Sequence, residues 1–223
     1  MSSSSRNGSW TYGEYLQLPE LLNLQAEERG ISNDELHFII VHQTFELWFK
    51  QIICELSLVR DILTQENVLE SDIPKACDHL GRTSEIFRLM ANQWGVLETL
   101  TPQGFLAFRD GLGTASGFES HQMREFELLL GLKQEDRLHK MDVIEQFRKL
   151  AKNSEYDAAI LARLEAIQAK PSLFDSLLKW IERTPIMGSS YGDEGDELVV
   201  SDYVDSHLTG HRSVCDSAIA RLG

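Results

Sequence analysis

Between Asn33 and about residue 66 the chain places Leu36, Ile39, Ile40, Phe49, Ile52, Ile53 and Leu56 at the 3.6-residue period of an α-helix. Ser32 and Glu35 stand in front of this run as a capping box, in which each side chain satisfies a backbone N–H at the helix start. A long helix is therefore expected over about 33–66. A second is expected from Ser71 or Asp72, with Pro74 in its tolerated first turn, to about Leu100. Thr101 and Pro102 read as the cap and first turn of a shorter helix to Asp110. Further helices are expected at 119–132, 135–153, 155–168 and 172–183, then an exposed loop over 186–199 and a last helix from Ser201 or Asp202 to about 222. Residues 11–29 read as a short extended piece followed by a helix with Leu18, Leu21, Leu22 and Leu24. No internal repeat and no alternating strand pattern interrupts this. The fold class is all-α, a helical bundle, with residues 1–10 as a flexible N-terminal arm and 11–223 as a single domain.

The formal net charge of -14 excludes a nucleic-acid or anionic-membrane partner, both of which need a basic surface. The three cysteines, Cys54, Cys77 and Cys215, are widely spaced, so neither a zinc knuckle nor a disulfide framework is expected. Residues 1–6 contain no apolar signal-peptide core, and no run of about 18 apolar residues can span a membrane. A cytoplasmic location is expected.

Three segments carry candidate chemistry. On a helix, Phe38, His42, Phe45 and Phe49 share one face. An imidazole among aromatics can hold or deprotonate an N–H group, because the neutral ring accepts one hydrogen bond and donates another. It can also be a buried histidine bonded to a neighbouring backbone group or carboxylate. Arg109 follows Phe105, Leu106 and Phe108 and precedes the glycine-rich stretch 111–117. There it can clamp a carboxylate with two parallel hydrogen bonds, or satisfy helix-end carbonyls, or pair with Asp110. His207 and His211 stand four residues apart, suited to zinc with a third ligand, to haem iron through one ring nitrogen, or to a solvated helix face. No P-loop, GxGxxG, GxSxG or HExxH motif is present, nor are the paired Glu-x-x-His motifs of di-iron bundles.

Several segments resemble the tryptophan 2,3-dioxygenase family, in the family's order. They are Tyr12-Gly-Glu-Tyr-Leu-Gln-Leu18, Phe38-Ile-Ile-Val-His-Gln-Thr-Phe-Glu-Leu-Trp-Phe-Lys50, Leu97-Glu-Thr-Leu-Thr101, Phe105-x-x-Phe-Arg109, Ala115-Ser-Gly-Phe118 and Trp180-Ile-Glu-Arg-Thr-Pro185. The resemblance spans roughly residues 12–185. It implies haem b between long helices, with His42 as the distal histidine that hydrogen-bonds the indole N–H. It implies Phe38 and Phe105 as walls of the indole pocket, Arg109 on the substrate carboxylate, and Ser116 and Gly117 against the haem edge. It also implies a homotetramer in which Tyr12, Tyr15 and Leu16 reach a neighbouring subunit's site. The implied reaction uses dioxygen to open the indole ring of L-tryptophan, giving N-formylkynurenine.

The chain departs from the family pattern in two places. The Trp-Arg-x-x-His segment of the proximal ligand is not cleanly present, so His211 is assigned to the iron, with His207 next. The Gly-Thr-Gly-Gly-Ser-Ser-Gly loop is not found within residues 1–223. His211-x-x-x-Cys215 also resembles related haem-dependent aromatic hydroxylases, where a thioether to the cysteine attaches the haem. These departures leave a monooxygenase acting on a substituted tryptophan as the alternative, and a non-catalytic haem sensor or a purely structural bundle as readings from other classes.

Overall fold

A computed structural model describes residues 10–113, 117–137 and 140–222. Expectations that fall on residues 1–9 or on Ser116 lie outside the described residues. The helices are α1 (Tyr12–Leu16), α2 (Leu18–Leu21), α3 (Asn33–Leu63), α4 (Ile73–Leu97), α5 (Pro102–Phe108), α6 (His121–Leu130), α7 (Val143–Leu150), α8 (Glu155–Gln168), α9 (Leu173–Arg183) and α10 (Asp196–Leu222). Among the described residues there is no strand, only an isolated bridge between Ile186 and Ser189. The all-α class is as expected. No helix among the described residues is long and apolar enough to cross a membrane.

Three stretches differ from the sequence reading. The extended piece expected after residue 10 is instead α1, opened by a reciprocal capping box between Thr11 and Glu14. Gln17, in the left-handed region at φ 52°, separates it from α2. The single helix expected over 135–153 is broken: Arg137 is extended, Lys140 sits at φ 52°, and Asp142 starts α7 afresh by accepting the Glu145 N–H at 3.0 Å. α10 begins five residues before Ser201, after Gly195 at φ 82°, with Asp196 and Glu197 beside the positive end of the helix dipole.

Contacts group the chain into two compact units, Met1–Glu55 with Leu80–Phe126 and Leu56–His79 with Glu127–Gly223. In the first, Val41, Phe45, Phe49 and Ile52 of α3 are buried, as are Ile86 and Met90 of α4. Phe45 packs on Trp94 with ring centroids 5.1 Å apart, and Phe49 on Phe126 at 5.3 Å. The buried Glu55 carboxylate accepts from Arg82 Nη1 at 2.6 Å and from Gln51 Nε2 at 2.5 Å, which keeps a charge in the interior paired.

In the second unit, α7 and α8 close a core of Val143, Ile144, Phe147, Ile160 and Leu164, with Leu128, Leu150 and Leu161 around it. Ser172 and Asp175 form a capping box at the start of α9. Gly131 lies against that cap at φ +90°, where a Cβ would come 2.6 Å from the Ser172 Oγ, so only glycine fits there.

Hydrogen bonds from the Ser172 hydroxyl and then from its backbone N–H hold the Asp175 carboxyl below the ordinary aspartate range. A group whose folded value is depressed stabilises the fold above its unfolded value and loses that contribution as pH falls through the folded one. Asp175→Asn is therefore expected to lower stability modestly at neutral pH. The gap to the native chain should narrow as pH falls through and below the aspartate range, as urea unfolding at stepped pH will measure.

Candidate active site

The site candidate begins on the first turns of α3. Ser32 Oγ accepts the Glu35 N–H at 3.1 Å, fixing the helix start. Two turns further on, His42 Nδ1 lies 2.8 Å from the Phe38 carbonyl oxygen. A carbonyl can only accept, so Nδ1 carries the proton and donates. In the neutral ring this leaves Nε2 as an acceptor for an N–H group. Gln93 of α4 braces this turn by donating to the Val41 carbonyl at 3.3 Å and to the Thr44 hydroxyl.

The aromatic stripe seen in the sequence divides here. Phe45 and Phe49 belong to the core, whereas Phe38 faces His42 and α5. The Phe38 ring lies 4.0 Å from His42, 5.9 Å from Phe105 and 5.5 Å from Phe108, centroid to centroid. Phe105 and Phe108 meet edge to face at 5.4 Å. Phe108 was not singled out from the sequence as a site residue; its position three after Phe105, on the same side of a short helix, was the available signal.

α5 is capped by the Thr101 hydroxyl, which accepts the Gly104 N–H at 3.0 Å. A Cβ at Gly104 would lie 2.3 Å from the Asp34 carboxylate, so the glycine lets α5 approach the start of α3 closely. Arg109 follows at the end of α5, half-buried, and its Nη1 donates to the Gly113 carbonyl at 3.2 Å. That is the helix-end contact anticipated for it, and it uses one of five donors. Gly117 opens a short 3-10 turn to Glu119.

On α3 a groove of about 660 Å³ opens beside His42, walled by Leu21, Leu22, Leu24, Leu36, Ile40 and Leu47. Two glutamines hold its outer wall. Gln25, 8 % exposed, donates to Gln43 Oε1 at 2.9 Å and to the Leu21 carbonyl at 3.0 Å. Gln43 donates to the Leu24 carbonyl at 2.8 Å. Sequence reasoning missed this tie. At the start of the same segment, the capping box of α1 presents Tyr12, Tyr15 and Leu16, which are 77 %, 72 % and 41 % exposed.

His207 and His211 lie on α10, whose side chains are exposed throughout 201–220. Tyr203 stacks on His207 with centroids 6.2 Å apart, and Cys215 Sγ lies 3.6 Å from His211 Nε2. Among the described residues no three His, Cys, Asp or Glu side chains converge as a metal-binding group.

The sequence profile described as tryptophan 2,3-dioxygenase matches residues 2–205. The chain belongs to the tryptophan 2,3-dioxygenase family. It is 40% identical over 203 residues to the tryptophan 2,3-dioxygenase of Alteromonas mediterranea, covering 86% of this chain and 54% of that protein. It is 43% identical over 180 residues to that of Bdellovibrio bacteriovorus, covering 79% and 48%. The enzyme of Anopheles gambiae is 40% identical over 178 residues, covering 78% and 44%. The chain thus spans about half the length of the curated relatives it matches. The family match contains Tyr12, Phe38, His42, Phe105 and Arg109, and it ends before His207, His211 and Cys215.

Proposed function

We propose that the chain is a haem-dependent oxygenase that opens the indole ring of L-tryptophan at its C2–C3 bond, giving N-formylkynurenine. The observation that carries this reading is the His42 imidazole, with Nδ1 committed to the Phe38 carbonyl and the ring packed on Phe38 beside Phe105 and Phe108. An indole needs this combination: apolar walls for a flat ring and one acceptor for its single N–H. L-Tryptophan plus dioxygen balances to N-formylkynurenine, so no external reductant enters the overall reaction.

In this reading His42 Nε2 accepts the indole N–H and sets the ring's orientation. Phe38 and Phe105 form walls of the pocket, with Phe108 behind them. The remaining guanidinium donors of Arg109 take the substrate carboxylate. By the family resemblance Gly117 borders the same pocket, and so would Ser116, which lies outside the described residues. Orientation of this kind lowers the barrier by fixing the reacting edge before reaction begins.

The apolar surface on α3 beside the His42 imidazole suits one face of haem b, which also needs an imidazole as axial ligand. His211 is assigned that role, with His207 next. When bound, haem supplies the activation of dioxygen. The exposed Tyr12, Tyr15 and Leu16 support a homotetramer in which this arm completes a neighbour's site. The exposed free thiols of Cys54, Cys77 and Cys215 suit a reducing cytoplasm.

His42→Ala tests the reading. Losing one buried hydrogen bond to the substrate costs about 1–3 kcal/mol, or roughly 10–100-fold in kcat/KM for L-tryptophan, with haem retained. The penalty should shrink for 1-methyl-tryptophan, which has no indole N–H to donate. Equal losses on both substrates would remove His42 from the indole nitrogen.

A further inference from the structure

His211 and Cys215 make a close contact on α10, beyond the end of the family match. His211 and Cys215 are four residues apart, so successive turns place them on one face, and both are exposed. Their donor atoms, Nε2 and Sγ, are 3.6 Å apart. A tetrahedral zinc ion takes nitrogen at about 2.0 Å and thiolate sulfur at about 2.3 Å, which sets two such donors about 3.5 Å apart. The two side chains are hydrogen-bonded across that gap, and an ion entering between them replaces this contact with two metal bonds.

We propose that His211 and Cys215 form a two-donor site for a borderline-soft divalent cation, zinc first. Imidazole and thiolate together select such an ion over magnesium or calcium, which prefer oxygen. Binding forms a metal–nitrogen and a metal–sulfur bond, displaces two waters from the ion, and releases the thiol proton to solvent. His207, one turn back on the same face, is turned to Tyr203, and no third side chain converges among the described residues. Water fills the remaining positions, which makes the site open and exchangeable.

This goes beyond the oxygenase reading and shares His211 with it. Its Nε2 cannot hold zinc and haem iron at once, so zinc delays haem uptake if His211 is the axial ligand.

The test is a cobalt(II) titration of the full chain carrying Cys54→Ser and Cys77→Ser, which leaves Cys215 as its thiol. The expected result is a thiolate-to-cobalt charge-transfer band that saturates at one equivalent and is displaced by zinc. Adding Cys215→Ser should abolish the band. His211→Ala should weaken binding more than 10-fold, and His207→Ala should leave it unchanged. A chain without the band overturns the proposal, as does an affinity indifferent to His211→Ala or equally sensitive to His207→Ala. Repeating the titration on haem-loaded chain separates this from the oxygenase reading: iron on His211 removes the band, whereas iron on His207 leaves it.

Discussion

Arg109→Ala is expected to lower kcat/KM for L-tryptophan by roughly 100-fold or more, because charge-assisted hydrogen bonds to a carboxylate contribute about 1.5–3 kcal/mol each. The substrate carboxylate would lose its cation in a half-buried position, where water replaces it poorly. Arg109 also donates to the Gly113 carbonyl, so part of any loss can come from the segment that follows. Tryptamine separates the two contributions. It has no carboxylate, so the penalty from the clamp vanishes with it while a penalty from loop disorder persists. Arg109→Lys should restore little, since an ammonium cannot present two parallel donors. Unchanged turnover of L-tryptophan by Arg109→Ala would end the carboxylate assignment.

Phe147→Ala is expected to be the most destabilising single substitution in the second unit. Phe147 is 2 % exposed and packs among Val143, Ile144, Ile160 and Leu164. Emptying a fully packed aromatic site costs about 3–5 kcal/mol. That is a large part of the roughly 5–15 kcal/mol that holds a domain folded. At about 2–4 °C per kcal/mol for a chain of this size, the melting temperature should fall by roughly 10 °C. Phe147→Leu, which keeps most of the volume, should lose less than half as much. Thermal melts followed by far-ultraviolet circular dichroism decide it. A shift of only a degree or two for Phe147→Ala would mean that the α7–α8 core contributes little.

The sequence was most legible where one period ran long. α3 could be read because its apolar spacing persists for many turns and Ser32 marks its start, and the observed Glu35-to-Ser32 cap matches that signal. The break before α7 was hidden because Asp142 sits inside a charged run where helix formers surround it. Its cap competes successfully with continuation of the helix, and spacing alone does not reveal that competition. α10 carries Val204 and Leu208 one turn apart, yet both are exposed, so spacing gave the helix without giving its surroundings.

The site was partly legible for the same reason. Phe38 and His42 are one turn apart on a helix, so their contact follows from spacing, and Phe105 and Arg109 are one turn apart on the next short element. The meeting of Phe38 with Phe105 and Phe108 depends on how α5 approaches α3, which Gly104 permits but does not announce. The Gln25–Gln43 tie joins residues 18 apart through side-chain amides, with no period to betray it. The 3.6 Å separation of His211 and Cys215 is likewise a matter of rotamers, although their four-residue spacing was visible from the start.

The most direct test of the central claim is the mass of the product. The chain is loaded with haem, reduced under anaerobic conditions, mixed with L-tryptophan and then exposed to isotopically labelled dioxygen. The expected product is N-formylkynurenine carrying two labelled oxygen atoms. A product with a single labelled atom, or haem bound with tryptophan returned unchanged, would contradict the dioxygenase assignment.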